Sequence, residues 1–109
     1  MYDDTWTKVE KKAARRAFDL AYSRECAAIG AELRRRAAAI REPADLWALH
    51  DYFTGQRNDT DEKYDYRYSQ LIFVFARLVA EGWLNIDELA GLGEEKLERI
   101  GTIVALAAE

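Results

Sequence analysis

Apolar side chains recur along the first forty residues at spacings of three and four, which is the repeat of one face of an α-helix. The narrow stripe consists of Phe18, Tyr22, Cys26, Ile29, Leu33, Ala37 and Ile40. Thr5 or Thr7 can cap this helix, which is predicted over about residues 5–40. Its length of roughly 50 Å exceeds that of a compact chain of 109 residues, whose radius of gyration is expected to be about 13 Å. Part of the helix must therefore project, and a second copy of the chain is the simplest packing partner.

Two further helices are predicted on either side of a glycine. Pro43, the only proline, suits the first turn of a short second helix, and Gly55 is predicted to stop that helix. A third helix is predicted over about residues 58–81 and ends at Gly82. Its candidate caps are Asn58, Asp59 and Thr60.

The end of the chain is predicted to hold two more helices. Asn85 can cap a short fourth helix, and Gly93 separates it from a last helix over about residues 94–108. The stripe of the last helix consists of Leu97, Ile100, Val104 and Ala107. No segment shows sustained alternation with period two. The sequence therefore predicts a single all-α domain over residues 1–109, with a long projecting helix followed, from about residue 43, by the second helix and a compact helical head.

The second helix is predicted to have two distinct faces. The face expected to point inward consists of Leu46, Leu49 and Phe53. A ridge beside it consists of Trp47, Asp51 and Thr54, with His50 between the two groups. A tryptophan with hydrogen-bonding neighbours on such a ridge is typical of an interface. The alternative is that Trp47 packs in the core and His50 caps its own helix region.

The third helix is predicted to expose an aromatic side chain. Its core stripe centres on Leu71 and Phe75, and Phe73 falls on the opposite side of the helix. Tyr66, Gln70 and Arg77 are predicted to share that outward side. Together with the Trp47 ridge, this pattern favours a protein-docking surface. The alternative is that the last helix covers Phe73.

Composition narrows the classes of protein that fit. Half of the residues are hydrophobic and a third are charged, which is typical of a folded soluble domain. A net charge of −4 argues against nucleic acid as the main partner. One cysteine allows no internal disulfide, and the N-terminus lacks the apolar stretch of a signal peptide, so a cytoplasmic location is expected. The longest apolar run, "LIFVFA", is too short to enter a bilayer as a spanning segment.

Candidate catalytic groups do not combine into a recognisable site. His50 and Asp51 are neighbours, but adjacent helical side chains point about 100° apart. Cys26 lies on the apolar stripe, where it is interpreted as a small hydrophobic residue. A single histidine with scattered carboxylates gives no metal-ligand spacing. The Arg34-Arg35-Arg36 run is interpreted as a solvated helix face. No enzymatic role, metal or cofactor is expected, and an enzyme using Cys26 and His50 is the minor alternative.

Long stretches of the sequence resemble one known family. The stretches "AFDLAYSRE", "DLWALHDYFTGQRNDTDEKYDYR" and "IFVFARLVAEGWLNIDELAGL" closely resemble the fluorescence recovery proteins of cyanobacterial photoprotection, and the resemblance covers nearly the whole chain. It implies a small, all-helical, homodimeric regulator. Such a regulator is expected to bind the photoactivated orange carotenoid protein, mainly through that protein's C-terminal domain. It would speed the return of that protein to its orange form and help to detach it from the phycobilisome.

The resemblance also implies roles for individual residues. Residues expected to bind the partner are Trp47, His50, Asp51, Arg57, Phe73 and Arg99. Residues expected to form the dimer interface are Ile29, Leu33, Ile40, Leu46 and Trp47. A cytoplasmic location at the phycobilisome or thylakoid surface would follow in a cyanobacterium. The alternative interpretation is a dimeric relative in a non-cyanobacterial bacterium, with a different native partner.

Overall fold

The computed structural model describes residues 5–109, and every regular element within them is helical. The elements are α1 (Lys8–Ala38), α2 (Pro43–Lys63), α3 (Leu71–Ala80), a 3₁₀ helix (Ile86–Leu92) and α4 (Glu94–Ala107). The molecule measures 54 × 31 × 24 Å, and its radius of gyration is 16.9 Å. The predicted all-α fold is confirmed, and so is the prediction that part of the long first helix projects.

The start of α1 is fixed by a reciprocal pair of hydrogen bonds. The Thr7 hydroxyl accepts from the Glu10 backbone N–H at 3.1 Å, and the Glu10 carboxylate accepts from the Thr7 N–H at 2.8 Å. This capping box satisfies two backbone donors that the first turn would otherwise leave free. Beyond it, α1 buries a face made mainly of alanines, which lets the head approach its backbone closely. These residues are Ala13, Ala14, Ala17, Phe18 and Ala21.

The outer part of α1 pairs with α2 as an antiparallel hairpin. The Arg36 guanidinium lies 3.7 Å from the centre of the Tyr52 ring, and the Lys63 ammonium lies 2.6 Å from the Glu25 carboxylate. Residue numbers thus rise along α1 as they fall along α2, which is the antiparallel sense. From residue 22 to residue 59 no residue is buried within the single chain. We call residues 22–59 the arm.

Two predicted helix boundaries are wrong. Gly55 does not stop the second helix, because α2 continues through it to Lys63. The third helix does not start near residue 58, because residues 64–70 form an irregular connection and α3 starts at Leu71. A glycine inside a helix costs only about 1 kcal/mol, and contacts of the last α2 turn outweigh that cost. Thr60 and Lys63 in that turn are buried against the rest of the chain.

The head has one apolar core at the base of α1. Its largest fully buried side chains are Phe75, Leu71, Ile72, Leu78, Leu89, Leu92 and Ile100, from α3, the 3₁₀ helix and α4. Gly82 and Gly93 have φ angles of 85° and 87°, so each turns the chain in a backbone region that favours glycine. The Asn85 side chain caps the 3₁₀ helix by accepting from the Asp87 N–H at 3.0 Å. The predicted stops at Gly82 and Gly93 and the cap at Asn85 are confirmed.

Candidate binding surfaces

The polar ridge of α2 is longer than the sequence predicted. Because α2 is continuous, Arg57 lies on the same helix as Trp47, His50 and Asp51, and it follows His50 by two turns on the same side. All four side chains are exposed, and Trp47 is 63% exposed. The Arg57 guanidinium donates to the Asp61 carboxylate at 3.0 Å, one turn further on. The ridge therefore forms one accessible surface, and the alternative in which Trp47 packs in the core is wrong for the single chain.

The predicted inward face of α2 is rotated from the observed one. The half-buried side chains that face α1 along the arm are Leu49, Tyr52 and Gln56. Leu46 and Phe53, which were predicted to point inward, are each 47% exposed. The contact between Tyr52 and Arg36 holds α2 in this rotation. As a result, two large apolar side chains beside the Trp47 ridge are only about half covered by their own chain.

His50 and Asp51 do meet, contrary to the prediction that their side chains diverge. His50 Nδ1 lies 3.4 Å from Asp51 Oδ1, a long hydrogen bond that rotation of two exposed side chains permits. The His50 ring also approaches the Trp47 ring edge-on, at 6.3 Å between centroids. Cys26 lies half-buried on α1, and its interaction with Tyr22 raises the pKa of the Tyr22 hydroxyl. The described residues contain no cluster of three or more His, Cys, Asp or Glu that could hold a metal ion.

The residues predicted to form a dimer interface lie on both helices of the arm. Ile29, Leu33 and Ile40 are half-buried against their own chain, whereas Leu46 and Trp47 are exposed. The arm thus carries apolar surface that a single chain leaves open to water. The dimer interface itself stays a prediction.

The second predicted surface lies on the head. Phe73 is 55% exposed on the side of α3 opposite the core, together with Arg77. α4 contributes Ile103 and Thr102 to a groove beside Phe73 but leaves more than half of the ring open. The predicted exposure of Phe73 is confirmed, and the alternative in which the last helix covers it is wrong.

Phe73 and Arg99 line the same groove. The groove has a volume of about 490 Å³ and is bordered by Phe73, Glu95, Glu98, Arg99, Thr102 and Ile103. Two further shallow grooves meet at Phe73, one along Ala76 and Ala80 and one that reaches Lys63 at the end of α2. An exposed aromatic ring at the meeting point of three grooves can insert into a partner while charged side chains on the rim align it. The structure therefore brings two of the predicted partner-binding residues together on the head and the other four together on α2.

Tyr66 does not belong to this surface. It was predicted on the outward side of a third helix, but it lies in the irregular connection and is half-buried. Its ring packs edge-on against Phe18, with centroids 4.8 Å apart. Burial raises the pKa of its hydroxyl.

A third surface, which was not predicted, lies where the irregular connection passes the first turns of α1. Tyr66 and Tyr68 form one wall of a groove of about 640 Å³, and the first turns of α1 form the other. The α1 residues that line it are Lys8, Val9, Lys11, Lys12 and Arg15. The signal was present in the sequence, because cations at positions i, i+3, i+4 and i+7 share one helix face. The groove could not be recognised from this pattern, because the predicted third helix over about residues 58–81 includes both tyrosines.

These features define an all-helical protein with exposed candidate binding surfaces, and comparison with known families specifies its class. A family model described as "Photoprotection regulator fluorescence recovery protein" matches residues 6–105. The chain belongs to the fluorescence recovery protein family, and it is a photoprotection regulator. Among residues 5–109, none of the helices combines the length and the apolar character that a membrane span requires.

Individual relatives agree with the family match. The chain is 38% identical over 101 residues to the fluorescence recovery protein of Synechocystis sp. PCC 6803, and the match covers 93% of both chains. The solved structure of the Fremyella diplosiphon fluorescence recovery protein has a TM-score of 0.88 and 44% identity. That of the Synechocystis protein has a TM-score of 0.87 and 37% identity. Each structural match covers 93% of this chain and 99% of the other.

Proposed function

We propose that this chain acts as a homodimer that docks on the C-terminal domain of photoactivated orange carotenoid protein and accelerates its reversion to the orange form. Reversion would end photoprotective quenching. The proposal rests on the family membership and on one structural observation, which is that the chain exposes two separate apolar surfaces. One is the arm and the other is the head around Phe73.

The arm is suited to self-association. It has no buried residue of its own, and Leu46, Trp47 and Phe53 are all exposed on one side of α2. Contiguous exposed apolar surface of this kind is costly in water and marks interaction sites. A small chain gains most by covering such surface with a second copy. In that arrangement Trp47 contributes to the interface, and His50, Asp51 and Arg57 lie along its polar edge.

The head is suited to docking on a different protein. Phe73 supplies a rigid apolar anchor, and the Arg99 guanidinium in the same groove can pair with a carboxylate of the partner. Glu95 and Glu98 on the same groove can pair with cations of the partner. Mixed charge around a central aromatic residue favours one orientation of docking over others.

Acceleration of the partner's reversion requires differential affinity. A binding protein speeds a conformational change only if it binds the transition state for that change more tightly than the starting state. We infer that the two heads of a dimer bind the carotenoid protein in a compact arrangement that resembles the orange form. The dimer would thereby lower the barrier to domain closure without any covalent step.

The test is the dark recovery of photoconverted orange carotenoid protein, followed by absorbance with and without this protein. The unmodified chain is expected to accelerate recovery. Phe73→Ala is expected to weaken docking by about 2 kcal/mol or more, roughly thirtyfold in affinity. Leu106→Ala is the matched control, because Leu106 is an exposed apolar residue of α4 that borders none of the three grooves at Phe73.

Two results would count against the proposal. An unchanged recovery rate at a saturating excess of the unmodified chain would show that the carotenoid protein is not its partner. The alternative, that this family member has a different native partner, would then be favoured. Equal losses of affinity from Phe73→Ala and Leu106→Ala would show that the grooves at Phe73 are not part of the docking surface.

A further inference from the structure

The first turns of α1 are strongly basic in an acidic chain. Residues 8–16, "KVEKKAARR", hold five of the 16 lysines and arginines of the chain and only one of its 20 acidic residues. The remaining positions are therefore more acidic than the net charge of −4 indicates. Such an asymmetry concentrates positive potential at one end of the head and can attract an anionic partner.

The cations are arranged along a concave surface and not scattered. Lys8, Lys11, Lys12 and Arg15 border the groove of about 640 Å³ whose opposite wall is Tyr66 and Tyr68. We call this surface the basic groove. The four cations stand at positions i, i+3, i+4 and i+7 of α1, so all four share one helix face.

Ring contacts hold two of the cations in place. The Lys11 ammonium lies 5.3 Å from the centre of the Tyr68 ring, and the Arg15 guanidinium lies 4.5 Å from that of Tyr66. Tyr68 is itself packed against the buried Trp6, with ring centroids 5.3 Å apart. Cations that are already ordered over rings lose less entropy when they bind a ligand. A tyrosine hydroxyl is protonated at neutral pH and can donate to an anion; burial raises the pKa of the Tyr66 hydroxyl further.

Nearby carboxylates neutralise only part of this charge. Glu10, the acidic residue within the basic segment, is turned to Thr7 and to Lys96, which lies 3.3 Å away. The hydrogen bond from the Thr7 N–H holds the pKa of Glu10 below its ordinary value. Asp19 pairs with Arg15 at 3.1 Å, one turn beyond that arginine and two turns beyond Lys12. Lys8, Lys11 and Lys12 therefore give the groove a net positive charge.

We propose that the basic groove is a separate binding surface of this protein, and that its occupant is an acidic segment of a partner protein with an aromatic or apolar side chain among its carboxylates. The carboxylates pair with Lys8, Lys11 and Lys12 on the rim. The apolar side chain packs on the rings of Tyr66 and Tyr68.

The shape and charge of the surface favour a peptide over other anionic surfaces. A helix that lies on a bilayer presents a row of large apolar side chains, whereas Val9, which is 70% exposed, is the only exposed large apolar residue of α1 bordering this groove. A nucleic acid would extend beyond four cations onto the acidic remainder of the chain, where repulsion opposes binding.

This inference is independent of the proposed docking on the carotenoid protein. The basic groove shares no lining residue with the groove of Phe73 and Arg99. The corresponding test contains no carotenoid protein, so either proposal can fail while the other stands.

The test is fluorescence anisotropy with the full chain. The probe is a fluorescein-labelled peptide of Asp, Glu and Gly residues around one central Phe, and the reference is the same peptide with Asn and Gln in place of Asp and Glu. The acidic peptide is expected to bind at low salt and to weaken as salt is added, because the contacts are ionic. The amide peptide is expected not to bind.

Matched variants locate the binding site. Lys8→Glu/Lys11→Glu is expected to weaken binding of the acidic peptide tenfold or more, because two attractive ionic contacts are replaced by two repulsive ones. Arg34→Glu/Arg41→Glu on the arm makes the same change in net charge at exposed positions and is expected to leave the affinity within about twofold. Tyr68→Ala is expected to weaken binding about threefold through loss of ring contact. Circular dichroism and urea unfolding confirm that each variant is folded.

Several outcomes would overturn the inference. These are no binding of the acidic peptide at low salt, equal binding of the amide peptide, and equal losses from the two charge-reversal pairs. Tighter binding to phosphatidylserine vesicles than to the peptide would assign the groove to a bilayer. Tighter binding to a single-stranded oligonucleotide would assign it to nucleic acid. If a variant does not fold, the comparison of the two peptides on the unmodified chain still tests whether the protein binds an acidic segment.

Discussion

The Lys63 ammonium lies 2.6 Å from the Glu25 carboxylate and joins the end of α2 to α1 at the point where the arm leaves the head. Only 6% of the Lys63 side chain is exposed. The same ammonium lies 2.7 Å from Glu81 at the end of α3, and the Tyr64 hydroxyl donates to Glu25 at 2.8 Å. Burial alone would raise the pKa of Glu81, but Lys63 and Arg77 together hold it below the ordinary value. Three helices therefore meet at one buried cation.

Removal of this cation is expected to destabilise the fold strongly. Lys63→Met leaves the Glu25 carboxylate, which is 13% exposed, without its cation, and an unpaired buried charge costs about 3 kcal/mol or more. The measurement is the free energy of unfolding in urea. Lys12→Met, at an exposed position on α1, is the control and is expected to change that free energy by less than about 0.5 kcal/mol. Equal effects of the two substitutions would show that the buried cation contributes little.

Acid is expected to weaken the contact between α1 and the 3₁₀ helix. The Arg24 guanidinium donates two hydrogen bonds to Glu88, at 2.8 and 2.7 Å, and with the Asn85 N–H it lowers the pKa of Glu88 from 4.5 to about 2. Because the folded pKa lies below the unfolded one, the stabilisation is fully present above about pH 4.5 and is lost as the pH falls towards 2.

The measurement for this pair is urea unfolding as a function of pH. The unmodified chain is expected to lose stability between about pH 4.5 and pH 2, and Glu88→Gln is expected to lose less over the same window. Asp87→Asn, at the adjacent exposed position, is the control, and its stability should depend on pH in the same way as that of the unmodified chain. If the stability of Glu88→Gln fell as steeply with pH as that of the unmodified chain, the acid-sensitive contact would not be the pair of Arg24 and Glu88.

A single glycine sets how closely the 3₁₀ helix approaches α1. A Cβ added at Gly91 would lie 2.5 Å from the Ala13 Cβ, which is closer than two carbon atoms can pack. Gly91→Ala is therefore expected to destabilise the head by about 1–3 kcal/mol, because the two elements must move apart. Gly101→Ala is the control within α4, where nothing lies within 4 Å, and it is expected to stabilise by about 0.5–1 kcal/mol. The two alanine substitutions should thus shift the thermal midpoint in opposite directions, and shifts of the same sign would contradict the close approach.

The predicted dimer is tested at Leu46. Leu46→Glu places a charge on the exposed apolar side of the arm and is expected to weaken self-association roughly a hundredfold, since the charge would be buried without a partner. Light-scattering mass measurement at micromolar concentration distinguishes monomer from dimer. Val9→Glu, at an exposed apolar position on the head, is the control and should leave the dimer intact. A monomeric unmodified chain would contradict the predicted dimer. A dimeric Leu46→Glu variant would show that the exposed apolar side of the arm is not its interface.

Local chemistry explains which parts of the fold were predictable. Thr7, Asn85, Gly82 and Gly93 act through their own side chain or their own φ angle, so their roles can be recognised in the sequence. The exposure of Phe73 was predictable for a similar reason, because its position relative to Phe75 follows from helical geometry alone.

Tertiary contacts explain the errors. The end of α2 depends on a cation that Glu25 and Glu81 hold from elsewhere in the chain, so the sequence around Gly55 does not reveal it. The rotation of α2 depends in the same way on Arg36. A third helix that starts near residue 58 would put Tyr66 on the outward side with Phe73, whereas in the irregular connection Tyr66 lines the basic groove with α1.

The pairing of α1 with α2 limits where the chain can change length. Glu25 and Arg36 are eleven residues apart on α1, and their partners Lys63 and Tyr52 are eleven apart on α2. One residue inserted between the two contacts on either helix would turn everything beyond it by about 100° and break one of them. One residue inserted in the connection at positions 39–42 would leave both in register. Natural variation in length is therefore expected at the tip of the hairpin, while insertions within either helix survive only when matched on the other.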